Sequence, residues 1–156
     1  MGDHLPLLLL AVLGGFLLSA GIEDVRTREI ANWKNAAIAL LAPLWWWSIG
    51  IEPWPGMAIQ LGVATIVFGV FVGAFAIGMM GGGDVKLIGA LALWLPPFAT
   101  LSMLIVMSIA GGILTLIMLI EARVRRTGHA IEVPYGVAIA VAGLLAIREP
   151  IINQFG

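Results

Sequence analysis

Six apolar runs occupy most of the chain, at 5–22, 36–51, 57–80, 87–98, 99–120 and 134–147. A helix that crosses a bilayer needs about 20 residues, with about 17–25 the usual range. The first, third and fifth runs meet that length. The second is marginal, and the fourth and sixth are short. The fourth and fifth are divided only by Pro96-Pro97, so 87–120 also reads as one kinked element and the chain as five spans.

Basic residues decide between the two layouts. Six spans with an external N-terminus put Arg26, Arg28, Lys34, Lys86, Arg123, Arg125 and Arg126 on the cytoplasmic side and only Arg148 outside. That is the excess of inner positive charge that membrane insertion favours. Five spans would carry the arginines at 123–126 to the wrong face. Trp45, Trp46, Trp47, Trp54 and Trp94 then fall towards the outer interface and Trp33 at the inner one, where amphipathic rings prefer to sit. The short fourth and sixth runs are expected to border a water-filled cleft or thinned lipid. Residues 5–22 lack a basic leading region and a small-residue cleavage site, so they read as a retained first span. The expected fold is all-α: a polytopic membrane protein with six transmembrane helices, both termini on the outer, periplasmic side, and one integral-membrane domain over 1–156.

Composition agrees, with 61% hydrophobic and 11% charged residues and a mean hydropathy of +1.07. A soluble domain of 156 residues could not hide so much apolar surface, whereas lipid solvates it. A net charge of −1 with no basic tail points away from a nucleic-acid partner. With no cysteine in the chain, disulfides, thiolate zinc sites and cysteine nucleophiles are excluded together.

The chemistry concentrates at two carboxylates. Asp84 closes the run Gly81-Gly82-Gly83-Asp84 between two apolar stretches, and Asp24 stands at the end of the first. An acid at or inside a bilayer is costly and is retained for function. Glycines leave room for another backbone or a substrate. In the six-span layout both acids face the cytoplasm at similar depth. Two carboxyls in contact cannot both ionise, so the pair holds one proton between them. The ionised member can take a proton from a bound water, which attacks a peptide carbonyl; the protonated member polarises that carbonyl and then serves the leaving amine. Neither a metal nor a cofactor is required. Taken alone, Asp24 has rivals in Glu23 and Glu29, and both acids also read as interfacial groups paired with Arg26, Arg28 or Lys86.

Other residues carry lesser readings. Lys86 serves equally as a group acting on Asp84 or on substrate and as a positive-inside anchor. Asn32 is placed to cap the second span. Arg26 and Arg28 read as topology determinants and His129 as a solvated loop residue. Gly69-x-x-x-Gly73 reads as a close-packing motif, and Met79-Met80 as packing beside a cleft.

Gly81-Gly82-Gly83-Asp84-Val85-Lys86-Leu87 resembles the G-x-G-D motif of the aspartic type IV prepilin peptidases. Asp24 through Asn32 is similar to that family's first motif, with Ala31 where the family has proline. Val133-Pro134-Tyr135-Gly136 resembles its Pro-Tyr-Gly signature. The resemblance implies an endopeptidase that removes a short basic leader, which precedes the first hydrophobic helix, from prepilin-like precursors at the cytoplasmic face of the bacterial inner membrane. Asp24 and Asp84 would be catalytic, and Gly81, Gly82, Gly83, Lys86, Asn32 and Tyr135 substrate-binding or supporting. The chain has no room for the cysteine-bearing methyltransferase region of larger members, so it resembles the short form of tight-adherence pilus systems. A small proton- or cation-coupled transporter is the alternative that two acids in interrupted spans also suggest.

Overall fold

A computed structural model describes residues 4–125 and 133–155. The described residues form six α-helices: α1 (His4–Thr27), α2 (Asn32–Ser48), α3 (Ala58–Ala76), α4 (Gly82–Ala92), α5 (Pro97–Arg125) and α6 (Tyr135–Phe155). A short π-helical turn, Pro53–Met57, leads into α3, and no strand occurs among the described residues. Arg126 and His129 lie outside them.

Three helical stretches are long and apolar enough to cross a membrane, His4–Thr27, Pro53–Ala76 and Pro97–Val124. They correspond to the first, third and fifth apolar runs. The sixth run underestimates its helix, because α6 continues to Phe155. Glycine sets two of the helix ends. Gly50 and Gly78 adopt positive φ, at 73° and 75°, after α2 and α3. The following residues return hydrogen bonds to carbonyls inside the helix, from Ile51 to Trp46 (2.9 Å) and from Met79 to Ala74 (3.0 Å). That is the Schellman closure, which a residue without Cβ enters at least cost.

Facing residues give the helix directions. Gly21 faces Ala140, Leu17 faces Gly143, and Gly14 faces Leu144 and Ile147, so α1 and α6 are antiparallel. Phe75 lies on Gly82 and Phe68 on Gly89, so α3 and α4 are antiparallel as well. By contrast α2 and α4 are parallel, joined at one end by Asn35 and the Gly83 carbonyl (3.2 Å) and at the other by Trp46 and the Leu93 carbonyl (2.7 Å). By their packing, α1, α5 and α6 make one trio and α2, α3 and α4 another, with α1 also packing on α2 and α4 on α6 across the seam.

The shortness of α4 now has a cause. Seven of its eleven residues are buried among α2, α3 and α6. A helix enclosed by protein has no lipid to match, so the length rule for a lipid-facing span does not bind it. Neighbouring protein encloses most of this segment, and the end that carries Asp84 and Lys86 borders open cavities.

Pro96-Pro97 ends one helix and begins another; the single kinked element of the five-span reading does not form. The break strands backbone carbonyls in apolar surroundings, where each unpaired one costs about 1–3 kcal/mol. Side chains from three helices supply the donors. Trp46 Nε1 donates to the Leu93 carbonyl (2.7 Å) and Trp45 Nε1 to that of Trp94 (3.0 Å). Gln60 Nε2 donates to Leu93 (3.3 Å) and Leu95, and Thr100 Oγ1 to Leu95 (3.1 Å). Trp94 completes the set by donating from Nε1 to the Ile38 carbonyl (2.8 Å) while stacking on Trp45 at 5.6 Å. Trp45, Trp46 and Trp94 are therefore interior residues, which corrects their reading as interfacial anchors; Trp33, Trp47 and Trp54 are exposed. The reading of Gly69-x-x-x-Gly73 as a packing motif is corrected too. A Cβ at either position would meet nothing within 4 Å.

Candidate active site

Asp24 occupies the last turn of α1 and is only 4% exposed. The negative end of its own helix dipole is a poor place for a carboxylate. The compensation comes from α6, whose first turn meets it head-on. Asp24 accepts hydrogen bonds from the backbone N–H groups of Val137 (3.3 Å) and Gly136. The approach is close enough that a Cβ on Gly136 would lie 2.8 Å from the carboxyl carbon. Pro134 and Gly136 thus have distinct physical roles: proline starts a helix without wasting a donor, and glycine admits the acid.

Asp84 is held in a related way. Gly81 is the N-cap of α4, and Asp84 sits in its first turn. Its half-buried carboxyl accepts a hydrogen bond from the Gly81 backbone N–H, the returning half of a capping box. Each carboxyl therefore faces a helix N-terminus, where backbone N–H groups and the helix dipole favour negative charge.

The two acids, 60 positions apart in sequence, line the same cavity. One lobe, of about 370 Å³, is bounded by both acids, Arg28, Asn32 and the three glycines. A second, of about 630 Å³, adds Met79, Met80 and Tyr135. Asp24 lies within electrostatic reach of Asp84, and Arg28 within reach of Asp24. Arg28 has φ of 58°, and its N–H returns to the Asp24 carbonyl (3.0 Å) to close α1. Among the described residues, no group of three or more His, Cys, Asp or Glu side chains is arranged to hold a metal ion.

The rivals to Asp24 separate cleanly. Glu23 pairs with Lys34 (2.8 Å) and accepts the Ala31 N–H (3.1 Å), stapling α1 to α2. Glu29 is exposed at the mouth of both lobes. Asn32 does not cap α2. The N-cap is Ala31, with no side-chain cap bond, and Asn32 Oδ1 instead accepts from Lys86 Nζ (2.7 Å). Lys86 accordingly turns to Asn32, and no ion pair between it and Asp84 is present.

The glycine run is less a flexible turn than a set of close approaches. Gly82 lies against the Phe75 ring and Gly83 against Ile30, each with room for a Cβ only at 3.3–3.4 Å. Gly81 is exposed, yet a Cβ there would also lie 3.3 Å from Asp84 Oδ2. Tyr135 packs its ring on Gly111, where a Cβ would come within 2.6 Å.

Against known families, residues 11–116 match the model of the type IV leader peptidase family. The chain belongs to that family. The matched region contains both aspartates and ends before α6, so the family's pattern does not itself reach Gly136. No curated protein and no solved structure matches the chain. Membership makes it a protease of the leader-peptidase kind, and its apolar helices make it a membrane protein.

Two features of this leader peptidase family member escape a linear reading. Asn35 is buried at 4% exposure and bonded to Gly83, yet it stands in the sequence as one polar residue before an apolar run. Gln60 is equally inconspicuous, and only the broken α4–α5 backbone explains it. A lone carboxamide inside the apolar run 57–80 was the available signal for Gln60. Asn35 had none.

Proposed function

We propose that the chain is an aspartic endopeptidase that removes the short leader from prepilin-like precursors at the cytoplasmic face of the bacterial inner membrane. The observation that carries this is the convergence of Asp24 and Asp84, each anchored by a different helix N-terminus, on one open cavity. The carboxyl pair shares one proton. Its ionised member draws a proton from a water held between the two, and that water attacks the scissile carbonyl. Its protonated member donates to the carbonyl oxygen; the proton taken from water then passes from the other aspartate to the leaving amine, and collapse of the tetrahedral intermediate returns the first proton. Anchoring matters because proximity and orientation supply much of the rate enhancement. Arg28 and Glu29 flank the mouth, and Glu29 offers a carboxylate to a basic leader.

Six membrane crossings with both termini outside fit this chemistry. The antiparallel and parallel helix relations described above alternate as such a layout requires, with α4 a protein-enclosed crossing. The absence of cysteine suits peptidase activity without N-methyltransferase activity. No cofactor enters the scheme.

The test is processing of a co-expressed pilin precursor, followed by the mobility shift of the mature product. Asp24→Asn and Asp84→Asn keep shape but cannot cycle a proton. Each alone is expected to abolish cleavage. Efficient cleavage by either single variant refutes the paired-acid mechanism. Altered ion flux with processing untouched would favour a transporter.

A further inference from the structure

We propose that the groove between α2, α3 and α4 seats the apolar segment of the substrate that follows the cut bond, an inference that rests on the prepilin-peptidase reading. The groove holds about 500 Å³, within the range of about 300–1,000 Å³ usual for ligand sites. It is deep because small residues line it from all three helices: Ala36 and Ala39, Ala64, and Gly89 and Ala90. These same helices carry large side chains elsewhere, so the depth is a local property of this face.

Polarity along the groove runs one way. Asn32, Asn35 and Lys86 line it near the starts of the parallel helices α2 and α4, and the residues beyond them are apolar apart from Thr65, whose hydroxyl donates to the Leu61 carbonyl of its own helix (2.7 Å), ending at Leu61 and Leu93. Asn32 also lines the cavity that holds both aspartates. The groove therefore adjoins the site where the bond is cut and leads away from it into apolar surroundings. A polypeptide with a polar junction followed by an apolar stretch matches that gradient in order and direction.

Asn35 selects peptide over lipid as the occupant. Its carboxamide cannot be turned over, because the Gly83 carbonyl needs the Nδ2 donor that faces it at 3.2 Å. Oδ1 is thereby left buried without a partner, a state that costs stability until a donor arrives. An extended peptide running from Asp84 into the groove carries backbone N–H groups of the required kind, which meet this oxygen once the wall at Asn35 parts to uncover it. An acyl chain carries none.

The test uses Ala36→Phe and Ala39→Phe, which fill the groove at positions outside the aspartate cavity. Two substrates are compared on the full-length enzyme in vesicles: a precursor with its apolar segment, and a short soluble peptide that spans the cut bond alone. The expected result is a rise of about tenfold or more in KM for the precursor, the scale of a lost apolar pocket contact, with turnover of the short peptide unchanged. Parental rates on both substrates, or equal loss on both, overturn the groove assignment while leaving the protease reading intact. A parent enzyme that cleaves neither sinks the protease reading and the groove with it. Because a filled groove can also disturb folding, a photo-crosslinking residue is placed at position 36 of the Asp84→Asn enzyme. Cross-links to the precursor's apolar segment, absent from the same probe at Val12 of α1, which does not line the groove, support the assignment; cross-links to lipid alone refute it.

Discussion

Gly136→Ala is the most direct probe of how Asp24 is held. The added methyl would lie 2.8 Å from both the carboxyl carbon and Oδ2 of Asp24, and 2.9 Å from its Cβ. Restoring the 3.4 Å at which ordinary contact begins moves the acid by about 0.6 Å. Asp24 is nearly fully buried, and its short side chain has little freedom to turn aside. The hydrogen bond from the Val137 N–H, already 3.3 Å, is the first to be lost. Overpacking of this size costs about 1–3 kcal/mol, and a displacement approaching 1 Å can cost about a hundredfold in rate. The expectation is therefore a drop of about ten- to a hundredfold in precursor cleavage. A modest fall in the detergent-solubilised unfolding temperature should accompany it. Gly69→Ala is the matched control. Its methyl meets nothing within 4 Å, and alanine is favoured over glycine inside a helix by about 0.5–1 kcal/mol. Processing by Gly69→Ala should equal that of the parent. Parental cleavage by Gly136→Ala would refute the idea that the first turn of α6 sets the position of a catalytic acid.

Trp46→Phe removes the indole donor to the Leu93 carbonyl and should lower stability by about 1–3 kcal/mol, read as a shift of the thermal midpoint in detergent. Gln60→Leu removes one of two donors from each of the Leu93 and Leu95 carbonyls, which keep Trp46 and Thr100, and should destabilise by the smaller net worth of such bonds, about 0.5–1.5 kcal/mol; an unchanged midpoint would mean that the remaining donors suffice. Lys86→Met should change the cleavage rate by no more than about fivefold, since an exposed pair of this type is worth about 0–1 kcal/mol and its partner is Asn32 rather than Asp84. Glu23→Gln should lower the unfolding temperature by weakening the α1–α2 staple yet leave cleavage intact. Loss of cleavage at full stability would mean that Glu23, and not only Asp24, takes part in the chemistry.

The sequence made the helices legible because lipid imposes a length on any helix that faces it. The long apolar runs became α1, α3 and α5, and Pro96-Pro97 fell at a true helix break. Asp84 stood out for a similar reason, as a lone acid in a glycine-rich gap between apolar runs. Beyond that, a one-dimensional reading could not see which helix is surrounded by others. Trp45, Trp46 and Trp94 look like interfacial residues by type, yet their indoles bond backbone carbonyls 47 to 56 positions away. Asn32 sat at the right position for a cap, but Lys86 from another helix claimed its oxygen. Gly69 and Gly73 had the right spacing for packing, and no neighbour came. The seat of Asp24 depended on α6, more than 100 residues distant, so the role of Gly136 emerged only in three dimensions.

Asp24 is fastened inside one trio of helices, between α1 and α6, and Asp84 inside the other, at the start of α4. The gap between the two carboxyls is thus a dimension of the seam and belongs to neither half. Lys34 of α2 straps that seam to α1 through Glu23 and Ser19 (2.8 and 2.7 Å), so the spacing of the acids is governed by what ties the trios together rather than by the interior of either.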